Sequence, residues 1–450
     1  MSERSDSDRA NGVREAAAFY ASAPIERQTD SVPAGYKRTE VGIIPEGWNS
    51  SLLGELFSFS NGINADKSAY GHGVPFINVL EPIKYSHIRE IDIPGKVSVP
   101  SRLSKNCSVK YGDIVFNRTS EVQEEVGFAA VYIDENPVVF GGFVICAKPI
   151  RKNLDPVYAG YALRAPAVRS QIVAKAQGAI RSNIGQASLR GVVVPIPQVS
   201  EQCAIATALS DTDALIDALG RLIAKKRAIK QGAMQQLLTG QTRLPGFTCE
   251  WETQRLGEVA NIRSGGTPST TIPAFWNGGI PWCTPTDITA LGGHKYLAET
   301  ERTISHEGLQ ASSAESIPPK SIIMTTRATI GECAINAVSM TTNQGFKNLV
   351  PTGVDAEFLY YLMTTKKNEL IKICGGSTFL EISKKQLYSF DLIFTKSYQE
   401  QQAIATVLSE MDAEIEALEH RRDKARQIKQ GMMQELLTGR TRLVEPEALP

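Results

Sequence analysis

The sequence predicts a mixed α/β fold. Two pseudo-repeated domains are each followed by one long helix, and the two helices pair as an antiparallel coiled coil. Three observations carry this reading: a segment that occurs twice, a helical apolar rhythm inside both copies, and a charge order that runs from acidic to basic along each. The first copy, Glu201 to Leu244, reads EQCAIATALSDTDALIDALGRLIAKKRAIKQGAMQQLLTGQTRL. The second, Glu400 to Leu443, reads EQQAIATVLSEMDAEIEALEHRRDKARQIKQGMMQELLTGRTRL. Laid together without a gap at an offset of 199, they match at 28 of 44 positions. Repetition on that scale fixes the organisation before any single residue is read.

Inside the first copy, Ile205, Leu209, Thr212, Ile216, Leu219 and Ile223 advance by alternating steps of four and three. Ile404, Leu408, Met411, Ile415 and Leu418 do the same in the second. Such steps set side chains on one stripe, the seam by which a helix packs on another helix. Both copies end in Leu-Leu-Thr-Gly, whose glycine suits the left-handed residue that closes a helix. A helix of about 38 residues is roughly 57 Å long. Asp211, Asp213 and Asp217 precede Lys225, Lys226, Arg227 and Lys230 in the first copy. In the second, Glu410, Asp412, Glu414, Glu416 and Glu419 precede Arg421, Arg422, Lys424, Arg426 and Lys429. That order complements the helix dipole and sets acid opposite base only when the helices run antiparallel.

The segments between the helices repeat weakly. Trp48 to Glu55 parallels Trp251 to Glu258, Gly73-Val74-Pro75-Phe76 resembles Gly279-Ile280-Pro281-Trp282, and Asn183-Ile184 answers Glu381-Ile382. Short apolar runs such as Ile114-Val115-Phe116 and Ile322-Ile323-Met324, separated by Gly- and Pro-bearing turns, read as strands; Glu357 to Lys366 reads as helix. The chain therefore divides into a polar N-terminal extension (1–36, read as a flexible tail with at most a short helix at residues 14–21), a first domain (37–199), a central helix (200–244), a second domain (245–398), a distal helix (399–444) and a tail (445–450).

Composition excludes several classes. Lys+Arg and Asp+Glu both number 48, so the chain as a whole is not a polyanion clamp. Seven scattered cysteines, no C-x-x-C pair and five histidines argue against a structural zinc site or a disulfide framework. The polar N-terminus lacks a signal-peptide core, and no apolar run is long enough to span a membrane, so a cytoplasmic protein is expected. No P-loop, no G-x-S-x-G elbow, no H-E-x-x-H and no Asn- or Asp-Pro-Pro-aromatic tetrapeptide occurs. No catalytic residue and no metal ligand are predicted.

Polar loops remain as candidates, with Arg able to read guanine, Asn or Gln adenine, and Lys, Ser or Thr able to hold phosphates. In the first domain these are Asn61, Arg118, Arg181, Ser182 and Asn183. In the second they are Arg263, Ser264, Thr267, Thr284, Arg327, Asn343, Gln344, Lys347, Lys384 and Lys385, with Trp276 and Trp282 nearby. Trp282, inside Ile-Pro-Trp-Cys, is expected in the core.

The paired motif E-Q-x-A-I-A-x-x-L followed by I-K-Q-G-x-M-Q-x-L-L-T-G-x-T-R-L resembles the conserved regions of specificity subunits of type I restriction-modification systems. Pro45 to Trp48 and Ile280 to Trp282 look like segments at and near the starts of their target-recognition domains. The resemblance covers residues 37 to 444 and implies the following. Each target-recognition domain would read one half of a bipartite, asymmetric site on double-stranded DNA. Ile205, Leu209, Ile216, Leu219, Ile404, Leu408, Met411, Ile415 and Leu418 would be coiled-coil residues. Two methyltransferase subunits would dock on the helices and restriction subunits would join them. S-adenosylmethionine, ATP and Mg²⁺ would belong to those partners, none to this chain. The first 36 residues and the second domain's lack of net positive charge depart from the pattern. Two other readings share these features: a coiled-coil scaffold without DNA readout, and an enzyme with a divergent site. Co-purification of an adenine methyltransferase separates the first, and S-adenosylmethionine binding by the chain itself the second.

Overall fold

The computed structural model describes residues 32–178, 181–327, 329–374 and 381–444. The helix expected at residues 14–21 and the tail at 445–450 lie outside the described residues. Among the described residues two compact units emerge, one formed by residues 32–218 together with 422–444, the other by residues 219–421. Both long helices have 39 residues, Val199–Leu237 and Tyr398–Leu436. Each unit therefore holds the start of one helix and the end of the other.

In the first unit, a five-stranded sheet runs in the order Phe57–Asn61, Val144–Pro149, Ile114–Asn117, Ala129–Tyr132, His87–Ile88, antiparallel except for the last pair. Its central strands are buried along their whole length because both faces are covered. Side chains alternate between the faces. Ile114, Phe116, Val131 and Ile145 pack against Ala159, Leu163, Val168 and Ile172 of two short helices. Val115, Ala130, Tyr132 and Cys146 pack against Phe76, Ile77, Val139 and Phe140 of a second sheet.

The second unit repeats this plan. Its sheet runs Ala260–Ser264, Phe346–Pro351, Ile322–Thr325, Cys333–Asn336, Tyr296–Leu297. Ile322 faces Ile335 across the strands as Ile114 faces Val131. One face packs on Phe358, Leu359 and Leu362, the other on Cys283, Ile317 and Met340. The helices that follow are capped alike: Asp155 accepts from the Tyr158 amide at 2.8 Å, and Asp355 from the Phe358 amide at 2.9 Å.

The repeated Glu-Gln pair explains how each long helix joins its domain. Gln202 accepts from the Asp155 amide at 2.7 Å and donates to Pro197 O at 2.9 Å. Gln401 accepts from the Asp355 amide at 2.9 Å and donates to Thr395 O at 2.8 Å. At the far ends, Gly240 and Gly439 adopt φ of 73° and 69°, the left-handed closure expected of Leu-Leu-Thr-Gly.

Helix pairing is antiparallel within each unit. In the first, Lys429 Nζ lies 2.6 Å from Asp213, while Ile205 and Leu209 are buried with Met433, Leu436 and Leu437. In the second, Lys230 pairs with Asp412, Lys226 with Glu414 at 2.6 Å and Arg227 with Glu419 at 2.5 Å. Leu219, Ile404, Leu408 and Ile415 are buried; Ile216, Met411 and Leu418 are half-buried. Partly exposed ion pairs contribute about 0.2–1 kcal/mol each, whereas a fully buried Leu or Ile contributes about 1.5–3 kcal/mol. The apolar seam supplies the stability, and the charges set the direction. Among the described residues, no helix is long and apolar enough to cross a membrane.

Candidate nucleic-acid interface

At one end of the second unit's five-stranded sheet, loops that are distant in sequence converge. Ser264 ends the first strand in register with Lys347. The chain then turns at Gly265-Gly266, where the Gly266 amide donates to Thr342 O at 2.9 Å. Any Cβ at Gly265 would lie 1.9 Å from Asn343 O, so only glycine lets the two loops touch. That contact brings the Thr267 hydroxyl onto the side-chain oxygen of Gln344. Asn343 spends its own side-chain oxygen on the Gly345 amide at 2.8 Å, which shapes the loop. The Thr326 amide donates to Gly345 O at 2.8 Å and the Ile382 amide to Thr326 O at 3.2 Å, tying in the third and fourth segments.

A charged group sits on this frame. Arg327 pairs with Glu381 at 2.9 Å, and the Lys347 ammonium lies 4.0 Å from the other oxygen of Glu381. Lys347 is buried, since its strand is covered on both faces. Burial holds its pKa below the ordinary lysine value; Glu381 pulls it up, and Arg327 and Lys384 push it further down. Lys384 and Lys385 are exposed at the start of a helix capped by Ser383. Arg263 reaches Ser316 O at 3.1 Å. Thr284 caps another short helix, its hydroxyl donating to Asp287 at 2.7 Å, so this side chain is engaged locally. Trp282 is buried, with its indole N–H on Gly266 O at 2.9 Å.

The first unit builds the same place from other residues. Thr119–Ser120 pairs with Ser182–Asn183, where the second unit bridges Arg327 to Glu381. Asn61 ends its strand as Ser264 does, and its side-chain oxygen accepts from Gln186 at 3.0 Å. Arg181 pairs with Glu121 at 2.8 Å, both well exposed, and Asn183 donates to Arg181 O at 2.9 Å. Ser182 is buried. Arg118 is exposed, and its guanidinium has no partner among the described residues.

Sequence reading missed Gln186, Glu121 and Glu381. The signal for Glu381 was present, because Glu381-Ile382 aligns with Asn183-Ile184. A search for basic and amide groups passes over a carboxylate, although one can accept from cytosine N4 or hold an arginine in place.

One frame used twice, with different hydrogen-bonding groups at the same loop positions, defines the class as a two-headed protein built from an internal repeat. The family described as "Type I restriction modification DNA specificity domain" matches residues 45–226 and 249–427. The chain belongs to that family, the specificity subunits of type I restriction-modification systems, which are non-catalytic and leave catalysis to partner subunits. Relatives include the MjaIX specificity subunit of Methanocaldococcus jannaschii, 41% identical over 37% of this chain and 39% of its own length. The putative MjaX specificity subunit of the same organism is 26% identical over 91% of this chain and 97% of its own length. The EcoR124I/EcoR124II specificity subunit of Escherichia coli is 31% identical over 36% of this chain and 41% of its own. A crystal structure of the S subunit from M. genitalium has the same fold, with a TM-score of 0.53 at 17% identity, covering 86% of this chain and 96% of that one.

Proposed function

We propose that the loop clusters at the sheet ends are the DNA-reading surfaces, each taking one half of a bipartite, asymmetric site. The carrying observation is that strand order and loop contacts repeat while the presented groups differ. A two-part target needs that combination. On this reading Asn61, Arg118, Arg181, Ser182 and Asn183 serve one half-site. Arg263, Ser264, Thr267, Thr284, Arg327, Asn343, Gln344, Lys347, Lys384 and Lys385 serve the other. Residues 37–199 and 245–398 are the reading domains, and 200–244 and 399–444 the helices that carry them.

Two methyltransferase subunits dock on the helices and restriction subunits join them; S-adenosylmethionine, ATP and Mg²⁺ are theirs, and the complex works in the cytoplasm. Exposed apolar residues support docking: Leu215, Leu222 and Ile229 recur every seven residues on the first long helix, and Ile428 is exposed on the second. The test is a genome-wide map of N6-methyladenine in cells that express the chain with its methyltransferase, before and after exchange of residues 45–199 for those of another such subunit. A split motif of which one half changes supports the proposal. Unchanged halves, or no chain-dependent methylation despite a stable complex, refute it.

A further inference from the structure

One arginine outside these clusters is held as a reading group would be. The strand Trp276–Cys283 pairs with Arg302–Ile304, and its register breaks between Trp276 and Ile280, so that both face Ile304. Asn277 sits at φ 61°, a conformation that a residue with a side chain adopts at a cost, and Gly279 at 85°. A bulge of this kind re-aims a side chain. Here it folds Trp276 back toward Trp282, the rings 5.0 Å apart and perpendicular. Each indole is fixed by its N–H, Trp276 on Ser269 O at 3.1 Å and Trp282 on Gly266 O at 2.9 Å. Those two carbonyls flank Thr267, so the stack is continuous with the loop cluster above.

The Arg302 guanidinium lies over both rings, 3.9 Å from the Trp276 centroid and 5.2 Å from that of Trp282. It has no hydrogen-bond or ion-pair partner among the described residues, and the residue is exposed. The indoles hold the guanidinium by cation–π attraction, Trp276 at the shorter distance, and leave its N–H donors unused by any partner among the described residues. A two-pronged hydrogen bond gains from a guanidinium whose place is set by its neighbours and whose N–H donors are unspent. The first unit carries the same bulge, between Tyr70 and Val74, with Tyr70 set edge-on to Phe76 at 5.4 Å. Gly95 there precedes Lys96 and Val97 as Arg302 precedes Thr303 and Ile304, so the frame recurs without the arginine.

We infer that Arg302, held against Trp276 and Trp282, reads a guanine in the half-site taken by the second unit, through paired hydrogen bonds to its O6 and N7. This rests on the proposal that the second unit reads one half-site. The test uses the complete complex with its methyltransferase and measures methylation rates on duplexes in which each base pair of both half-sites is changed in turn. R302A removes the preference for one G·C pair in one half-site, a loss of about 5- to 150-fold in discrimination at that position, and leaves the other half-site as it was. R302K keeps the charge and the stem but not the fork, and does not restore the preference; W276A weakens it at the same position. Thermal unfolding of each variant complex shows whether it is intact, and R302K stands as the folded control should W276A misfold. Three outcomes overturn the inference: an unchanged base profile in R302A, a half-site lacking G·C, or a uniform slowing on all duplexes with a shallower salt dependence, which marks a phosphate contact. Exchange of residues 245–398 separates the two levels. If that exchange leaves both half-sites unchanged, the proposed function fails; if it changes one and R302A changes nothing, only the role of Arg302 fails.

Discussion

The first unit buries Glu201 and the second buries Glu400, both fully out of solvent, and the two are completed differently. Glu201 takes both oxygens to Arg442, with Nη2 at 2.8 Å, and also accepts the Trp48 indole N–H at 2.8 Å. Glu400 takes Arg243 at 2.6 and 2.8 Å, but the indole N–H of Trp251 is buried without a partner. The forked arginine recurs and the tryptophan bond does not. Each arginine belongs to the Thr-Arg-Leu ending of the opposite repeat, so the start of one repeat recognises the end of the other. The ion pair is therefore the shared device for joining helix ends, while the indole bond is a local addition.

Removing an arginine is the strongest way to test that distinction. R243A leaves Glu400 buried with no side-chain donor among the described residues, and R442A leaves Glu201 with Trp48. A buried carboxylate deprived of its partner costs about 3–5 kcal/mol. Urea unfolding is expected to show a loss in that range for R243A and a smaller one for R442A. Equal losses would mean that Trp48 contributes nothing to the buried charge, and losses under about 1 kcal/mol in both would remove the pair from the account altogether.

The tryptophans give the next largest effect. W48F deletes a hydrogen bond to a charged group, about 1.5–3 kcal/mol, and leaves Glu201 one donor short. W251F deletes an N–H that is already unpartnered, so its cost is lower by about 1–3 kcal/mol. A double-mutant cycle of W48F with R442A should show coupling, and the cycle of W251F with R243A little. Coupling of the same size in both would mean that the two tryptophans serve their buried carboxylates alike.

Much of this frame was legible. Steps of three and four, the Leu-Leu-Thr-Gly endings and the acid-to-base order gave two antiparallel helices, because these signals depend on neighbours in sequence. Acid and base also meet at the ends of the repeats, Glu201 with Arg442 and Glu400 with Arg243, outside the stretch in which the charges form a run. The loops were legible as a set of polar residues and not as a site. Lys347 reads as an exposed base until its strand proves to be covered on both faces. The repeat aligns Glu381 with Asn183, but its pairing with Arg327 and the place of Arg302 beside Trp276 enter only through register. Register is a long-range property that a local pattern does not carry.

The smallest expected effect distinguishes the units by pH. His87 Nε2 lies 2.8 Å from Val157 O and its ring sits edge-on to Tyr161. Burial pushes its pKa below the ordinary value of 6.5; the bond to Val157 and the charge of Asp213 oppose this, while Lys429 and Arg164 add to it. The corresponding strand of the second unit begins at Tyr296, directly after Lys295, and both residues bond Glu357. Burial raises the Glu357 carboxyl, but hydrogen bonds from Lys295, Ser409 and Tyr296 outweigh it and hold the group below its ordinary 4.5. Both folded pKa values are depressed, so each contribution is complete above the unfolded value and is lost as pH falls toward the folded one. For His87 the loss begins near pH 6.5, where the unfolded chain takes up a proton that the folded one refuses; for Glu357 it begins only near 4.5. Between those values only the His87 contribution of the two declines. Urea unfolding of the whole chain at pH 7.5 and 5.5 should show a decline in the parent protein that H87Q flattens. A decline of equal size in H87Q would place the pH response elsewhere, and the two units would then differ in hydrogen bonding and not in titration.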